Sequence, residues 1–252
     1  MPLYESPALT LRSMRLGEAD KLVTFFTLRY GKIKAVAKGA LRTKSRFMGR
    51  LEPFSLVSLI VFGKEKTELY SLNSSDIVEP FMALRSGLDA ISLAYVSAEL
   101  VDLCQRERDV NKHGFSALLS LWRSLNSNVD RGKPQGKLLL RLFELKYLAS
   151  IGFAPMMTHC IDCNKQLRGA EAGFNALKGG VVCINCLPAD PMALRTAMGA
   201  VKLMSRGLLT PMEKLSRLSA APLILADVER MVNDLVGAHA PRKIRSELFL
   251  NL

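Results

Sequence analysis

The sequence predicts an α+β chain: a small five-stranded barrel, then a helical bundle with a four-cysteine hairpin inserted in it. Three observations carry this. Residues 1–80 break into short strand-like runs separated by turn signals. After Pro80 the apolar residues recur at intervals of three and four. Two C-x-x-C pairs, Cys160-Cys163 and Cys183-Cys186, stand nineteen residues apart in the second half. The expected domains are 1–80, then 81–157 with 188–252, and the cysteine module at 158–187.

The expected strands are Ala8–Leu16, Lys21–Leu28, Lys32–Ala37, Ser55–Phe62 and Glu68–Asn73, with breaks at Gly17-Glu18, Tyr30-Gly31 and Gly63-Lys64. Five short strands with tight turns and one long loop suit a small barrel, and the OB-fold is the five-stranded barrel that binds single strands. The third strand runs into the most basic stretch of the chain. Lys32, Lys34, Lys38, Arg42, Lys44, Arg46 and Arg50 fall between Gly31 and Leu51, with no acidic residue among them. A strand face of lysines continuing into a basic loop makes a track for a phosphate backbone. The bland alternative is a solvated strand face and surface loop. Phe47, between Arg46 and Arg50, is the aromatic placed to stack on a base.

Helical periodicity predicts a first helix through Leu84, Leu88, Ile91, Tyr95, Ala98 and Val101. A second spans His113 to Ser124, a polar loop Asn126 to Gly136, and a third helix Lys137 to Ser150. The third helix is apolar nearly all round, which places it centrally in a bundle. Gly152 and Pro155 stop it. The C-terminal part reads as helices over Pro191–Ser205 and Pro222–Val236, belonging to the same bundle.

Paired C-x-x-C turns separated by a glycine-containing hairpin predict one zinc ion with four thiolate ligands, Cys160, Cys163, Cys183 and Cys186. Four protein ligands close the shell, so this zinc is structural. Redox dithiols are the competing reading. Cys104 lies on an apolar helical face as an inert thiol.

The net charge is +12, from 35 basic and 23 acidic residues, and it is spread along the chain. Such a balance favours polyanionic partners, nucleic acid first. No run approaches a membrane span. The N-terminus lacks the pattern of a signal peptide, so the expected location is cytoplasmic. P-loop, G-x-G-x-x-G, G-x-S-x-G and H-E-x-x-H motifs are absent, which makes an enzyme the weaker class. Glu18 and Asp20 could serve a metal-dependent nuclease, but a strand-closing turn suits them better.

An ordered set of segments then points to one family. They are Gly17-Glu18-x-Asp20-Lys21-Leu22-Val23-Thr24, Tyr30-Gly31-Lys32-Ile33, Ala37-Lys38-Gly39-Ala40, Ser45-Arg46-Phe47 and Leu51-x-Pro53-Phe54. Phe143-Glu144-Leu145, Ile151-Gly152-Phe153-Ala154-Pro155, the cysteine pairs and Lys243-x-Arg245-Ser246 follow. In these segments, over its whole length, the chain resembles the RecO family of bacterial recombination mediators. The resemblance implies an OB-fold, a helical domain and a zinc-finger-like insertion. It implies binding to single- and double-stranded DNA, strand annealing, and help in loading recombinase onto strands coated by single-strand binding protein. RecR and single-strand binding protein are the implied partners, the recombinase filament an indirect one, and the nucleoid the implied place. The DNA-binding residues would be the seven cations above. Single-strand binding protein ends, in the family's terms, in an acidic tail with an apolar terminus. Arg141 and Lys146, with Arg131, Lys133 and Lys137 nearby and Leu138, Leu142 and Phe143 beneath, are expected to receive that tail. The alternative is a zinc-ribbon protein of translation or ribosome assembly that binds RNA.

Overall fold

The computed structural model describes residues 2–64, 67–127 and 133–251. They gather into two compact units, Met1–Ser127 with Arg245–Leu252, and Asn128–Ile244. The division differs from a boundary at residue 80: the first helices belong with the barrel, and so does the C-terminal end.

In the first unit, five strands close a barrel: β1 (Leu3–Leu16), β2 (Asp20–Thr27), β3 (Gly31–Ala37), β4 (Leu56–Phe62) and β5 (Tyr70–Glu79), in the order β1-β2-β3-β5-β4. This is the OB-fold. The long β1 serves two partners: its N-terminal half pairs with β4 and its C-terminal half with β2. A register shift between Thr10 and Arg12 bends it from one to the other. A short parallel pairing of Ala35 with Tyr70 and Val36 with Ser71 completes the closure. Period-two alternation sends Ile33, Ala35 and Ala37 inward, where they meet Val23, Phe25, Val57 and Leu59. β5 extends to Glu79 although Asn73, Ser74 and Ser75 carry turn chemistry, because pairing with β4 outweighs their local preference.

The basic loop between β3 and β4 is a chain of tight turns. Backbone N–H groups of Arg42, Ser45, Met48 and Arg50 donate to carbonyls three residues earlier, at 3.0–3.3 Å. Phe47 and Leu51 drop from it into the barrel core, 4% and 1% exposed. Phe47 is therefore a plug and not a stacking platform, a correction to the expectation from sequence. Its flanking charges suggested exposure, but the turns direct it inward while Arg46 lies across its ring at 4.8 Å. At the end of the loop, Arg85 donates to the carbonyls of Pro53 and Phe54 and to the Ser55 hydroxyl, at 2.7–3.2 Å.

Arg85 comes from α1 (Met82–Ser86), followed by α2 (Leu88–Cys104) and α3 (Lys112–Ser127). The single helix expected over 84–101 is split, because Gly87 has extended backbone. Trp122 on α3 is fully buried, with its indole N–H on the Ser97 hydroxyl at 3.1 Å and Phe54 edge-on to its ring. Residues 106–109 run beside β3: the Arg108 N–H donates to the Lys32 carbonyl at 2.9 Å. A side chain at Gly31 would stand 2.1 Å from the Asp109 carbonyl oxygen, so only glycine fits there. The final 3-10 turn, Arg245–Asn251, starts on the Glu99 carboxylate, which accepts from the N–H groups of Arg245 and Ser246.

The second unit is built on α4 (Lys133–Ser150), with α5 (Met198–Leu209) and α6 (Pro222–His239) packed against it. Leu138 to Leu145 are all buried, as its all-round apolarity predicts. The expected polar loop is helix at both ends, since α3 runs to Ser127 and α4 begins at Lys133. Pro134 is tolerated because a first-turn N–H has no intrahelical acceptor. A three-stranded antiparallel sheet follows: β6 (Glu171–Asn175), β7 (Gly180–Val182) and β8 (Leu194–Ala197) in the order β7-β6-β8. The helix expected from Pro191 starts only at Met198, because Leu194–Ala197 pair with β6.

If Phe47 plugs the barrel, Phe47→Ala removes a buried aromatic and leaves a cavity. Urea unfolding should then show a loss of about 3–5 kcal/mol. Unchanged stability would return Phe47 to the surface.

Candidate nucleic-acid interface and metal centre

The basic stretch divides into spent and unspent charges. Lys32 is 7% exposed, with its ammonium on the Asp102 carbonyl and its carboxylate. That placement takes it off the exposed basic surface, a second correction to the expectation from sequence. Period two put it with Lys34, but residues 106–109 cover that end of β3. Lys34 pairs with Glu107 at 2.5 Å, and this hydrogen bond raises its pKa. Arg50 pairs with Asp76 at 2.5 Å. Lys38, Arg42, Lys44 and Arg46 are exposed and have no ion pair among the described residues. The register adds an exposed cation that the sequence reading missed: Arg12 stands opposite Thr24, which stands opposite Lys34. Only the pairing of β1 with β2 could reveal it.

Asp20 is structural. Its carboxylate accepts the Gly39 N–H at 2.7 Å, and the Ala19 carbonyl accepts from Leu41 at 2.8 Å, tying the β1–β2 turn to the basic loop. Among the described residues the four cysteines are the one grouping of three or more potential ligands that could hold a metal ion. Cys104 is half-buried, and burial pushes its thiol up to about 11, against the opposing effect of Lys32.

Two tight turns build the cysteine centre. Cys160 N–H donates to the Lys165 carbonyl, and the Cys160 carbonyl accepts from Asn164, both at 2.9 Å. In the second turn Cys186 and Leu187 donate to the Cys183 carbonyl. The four sulfurs lie within 4.8 Å of one another, and Cys163 and Cys183 are 3.7 Å apart. Tetrahedral ligation at about 2.3 Å requires sulfurs about 3.8 Å apart, so this donor set fits a four-thiolate metal ion. Burial pushes the Cys160 thiol up, but backbone N–H groups of Cys183, Cys163 and Asp162 outweigh it and bring it down to about 6. Sulfurs of Cys183 and Cys163 push Cys186 the other way, up to about 12. A bound cation favours the thiolate form of its sulfur ligands. Lys178 then ties the two turns together, reaching Asp162 at 3.2 Å and Asp190 at 2.9 Å. Asp190 is buried and also accepts the Asn175 amide at 2.9 and 3.0 Å.

The residues expected to form a partner site on α4 are largely covered. Arg141 is 5% exposed and paired inside the helix with Glu144 at 2.8 Å. Leu138, Leu142 and Phe143 are closed core. Lys146 is half-buried and donates to the Leu208 carbonyl at 2.7 Å, near the C-terminal end of α5, and burial lowers its pKa. Arg131 lies outside the described residues, as does the side chain of Lys133. Charge on an apolar helix suggested exposure, but α5 and α6 cover it. A groove of about 620 Å³ opens instead beside α5. Met157, Leu167, Met198 and Val201 contribute its apolar lining, and Lys202, Arg206 and Lys214 its charge. These three cations are exposed and have no ion pair among the described residues. The i, i+4 spacing of Lys202 and Arg206 on α5 was legible; that the cysteine module faces them was not.

Lys178, then Asn175, holds the Asp190 carboxyl below the usual carboxylate range. A lowered carboxylate pKa stabilises the fold above the unfolded value of about 3.9 and ceases to do so as pH falls through the folded one. In acid titration followed by circular dichroism, Asp190→Asn should therefore lower stability near neutrality and flatten its fall between about pH 5 and pH 2. A variant titrating like the parent would mean that the contact contributes nothing.

Comparison with known proteins agrees with this architecture. Two family models match, "Recombination protein O N terminal" over residues 1–81 and "Recombination protein O C terminal" over residues 85–248. The DNA repair protein RecO of Roseiflexus sp. (strain RS-1) is 32% identical over 250 residues, covering 99% of this chain and 85% of the relative. That of Symbiobacterium thermophilum is 31% identical over 256 residues, covering 100% and 98%. That of Cutibacterium acnes is 35% identical over 191 residues, covering 75% and 76%. None of these names favours the RNA-binding alternative. A five-stranded barrel at the matched N-terminal segment, helices at the matched C-terminal one and the relatives' near-full coverage have one consequence: the chain belongs to the RecO family.

Proposed function

We propose that this chain is a non-enzymatic mediator of DNA repair and recombination. It holds single- and double-stranded DNA, anneals complementary strands, and helps load recombinase onto strands coated by single-strand binding protein. The observation that carries this is the loop presenting Lys38, Arg42, Lys44 and Arg46, unpaired, on an OB-fold barrel. Unpaired cations are free to replace the counterions of a phosphate backbone, and their release drives binding. Annealing needs no group that makes or breaks a bond. Two polyanions repel, and a cationic surface that neutralises both lowers the cost of bringing them together. Lys34 and Arg50 join the track if phosphate displaces their exposed carboxylate partners, since such surface pairs are worth about 1 kcal/mol or less.

The cysteine centre holds one structural zinc, for which four thiolates are a fitting set. RecR and single-strand binding protein are the partners, and the acidic tail of the latter docks in the groove beside α5. The protein acts in the cytoplasm at the nucleoid; no helix among the described residues is long and apolar enough to cross a membrane.

Charge reversal at Arg42, Lys44 and Arg46 together should weaken binding to single-stranded DNA and flatten its salt dependence by about 2 in slope, at about 0.7 per phosphate. An unchanged slope in a folded variant would move the DNA elsewhere. Annealing of strands coated by single-strand binding protein tests the wider reading: failure of the intact chain to accelerate it would overturn mediation. Metal analysis should find one zinc per chain and none in Cys160→Ser with Cys183→Ser.

A further inference from the structure

The groove beside α5 has two walls of different origin. One is α5 itself, with Met198, Val201, Lys202 and Arg206, continued by Lys214 beyond it. The other is the stem of the first cysteine turn. His159 bridges to Gln166 across that stem, and the next residues outward, Thr158 and Leu167, both line the groove.

The two arms of the stem are held unequally. The incoming arm is bonded to β7: Met156 N–H donates to the Gly179 carbonyl, Val181 to Met156 and Ile161 to Val181, all at 2.9–3.0 Å. The outgoing arm, which carries Leu167, has the Cys160–Lys165 backbone bond and the His159–Gln166 bridge; it runs from Cys163, one of the four sulfur ligands, to Ala170, whose carbonyl accepts the Met198 N–H at 2.8 Å. Leu167 therefore lies between two ties, the centre at Cys163 on one side and the Ala170–Met198 bond on the other.

The lining also states its occupant. It contains no acidic and no aromatic residue, and its three cations are unpaired among the described residues. An apolar floor without an aromatic ring offers a base no stacking platform, but suits an aliphatic or aromatic side chain delivered by a peptide. Cations at the rim suit acidic residues beside it.

We infer that the four-cysteine centre holds one end of the Leu167 wall of this groove in place, so that docking of an acidic, apolar-ended peptide depends on the bound metal. The inference rests on the reading that single-strand binding protein docks here. It gives the metal a task beyond local folding. The centre sets the Leu167 wall and so licenses partner binding, while the barrel's hold on DNA is independent of it.

The test is fluorescence anisotropy of a labelled single-strand binding protein tail peptide titrated with the full chain. The chain is used metal-loaded, stripped by chelator with its metal content measured, and as Leu167→Glu, whose cysteines are intact. DNA binding and helical content are measured on each. Stripping and Leu167→Glu should each weaken the peptide at least about tenfold, equivalent to about 1.4 kcal/mol, with DNA binding kept. Equal peptide affinity for loaded and stripped chain overturns the dependence on metal and leaves the groove reading standing. Full affinity in Leu167→Glu with its metal retained overturns the role given to that wall, even if the stripped chain has lost helix. Lys202→Glu with Arg206→Glu should lose the peptide and keep DNA; losing both assigns the groove to DNA and overturns the peptide. Absence of binding to the loaded chain overturns the groove reading itself.

Discussion

Like charges held close repel, and the basic loop of this protein gathers Lys38, Arg42, Lys44 and Arg46, none of them in an ion pair among the described residues. The loop keeps its form because Phe47 and Leu51 are buried in the barrel and Asp20 and Arg85 tie down its two ends. Burying a phenylalanine contributes about 1.5–3 kcal/mol, and repulsion between solvated charges several ångströms apart is about 1 kcal/mol or less. The anchor outweighs the repulsion. Charge can therefore be concentrated on a defined surface and not dispersed along a mobile tail.

Closure of the barrel makes the anchor possible. β1 is shared between β2 and β4, and the parallel contact of β3 with β5 seals the remaining gap, leaving an interior that the loop can fill from one end. Residues 106–109 then fasten to the outside of β3 and occupy Lys32 and Lys34 with Asp102 and Glu107. The same sheet face is thus partly structural and partly available. The available part is the loop together with Arg12, which the register places in one row with Thr24 and Lys34.

The second unit solves a different problem. Its cysteine module has tight turns and a small sheet that buries Ala172, Phe174, Val181 and Val182. The Asp162–Lys178–Asp190 bridge joins its turns, and a metal ion on the four sulfurs would join them further. α4 supplies the burial for the helices around it, with Arg141 and Glu144 enclosed as a pair.

Much of this was readable in one dimension. Strand-length runs punctuated by Gly17, Gly31 and Gly63, the three-four periodicity after Pro80 and the spacing of the four cysteines depend on local geometry, and local geometry is written in neighbouring residues. The concentration of cations between Gly31 and Leu51 was equally plain. Which of those cations stay free was not, because their partners Glu107, Asp102 and Asp76 are remote in sequence. Phe47 and Arg141 were misread for one reason: a charged neighbour, or a charge itself, predicts exposure only until another segment covers it. Arg12 joined the exposed basic surface through strand register, and Lys202, Arg206 and Lys214 came to line one groove with Leu167 through the folding of a hairpin against a helix. Local chemistry chose the elements and the metal ligands. Long-range packing decided which charges the folded protein leaves unspent, because solvent access is a property of the assembled surface and not of any one residue.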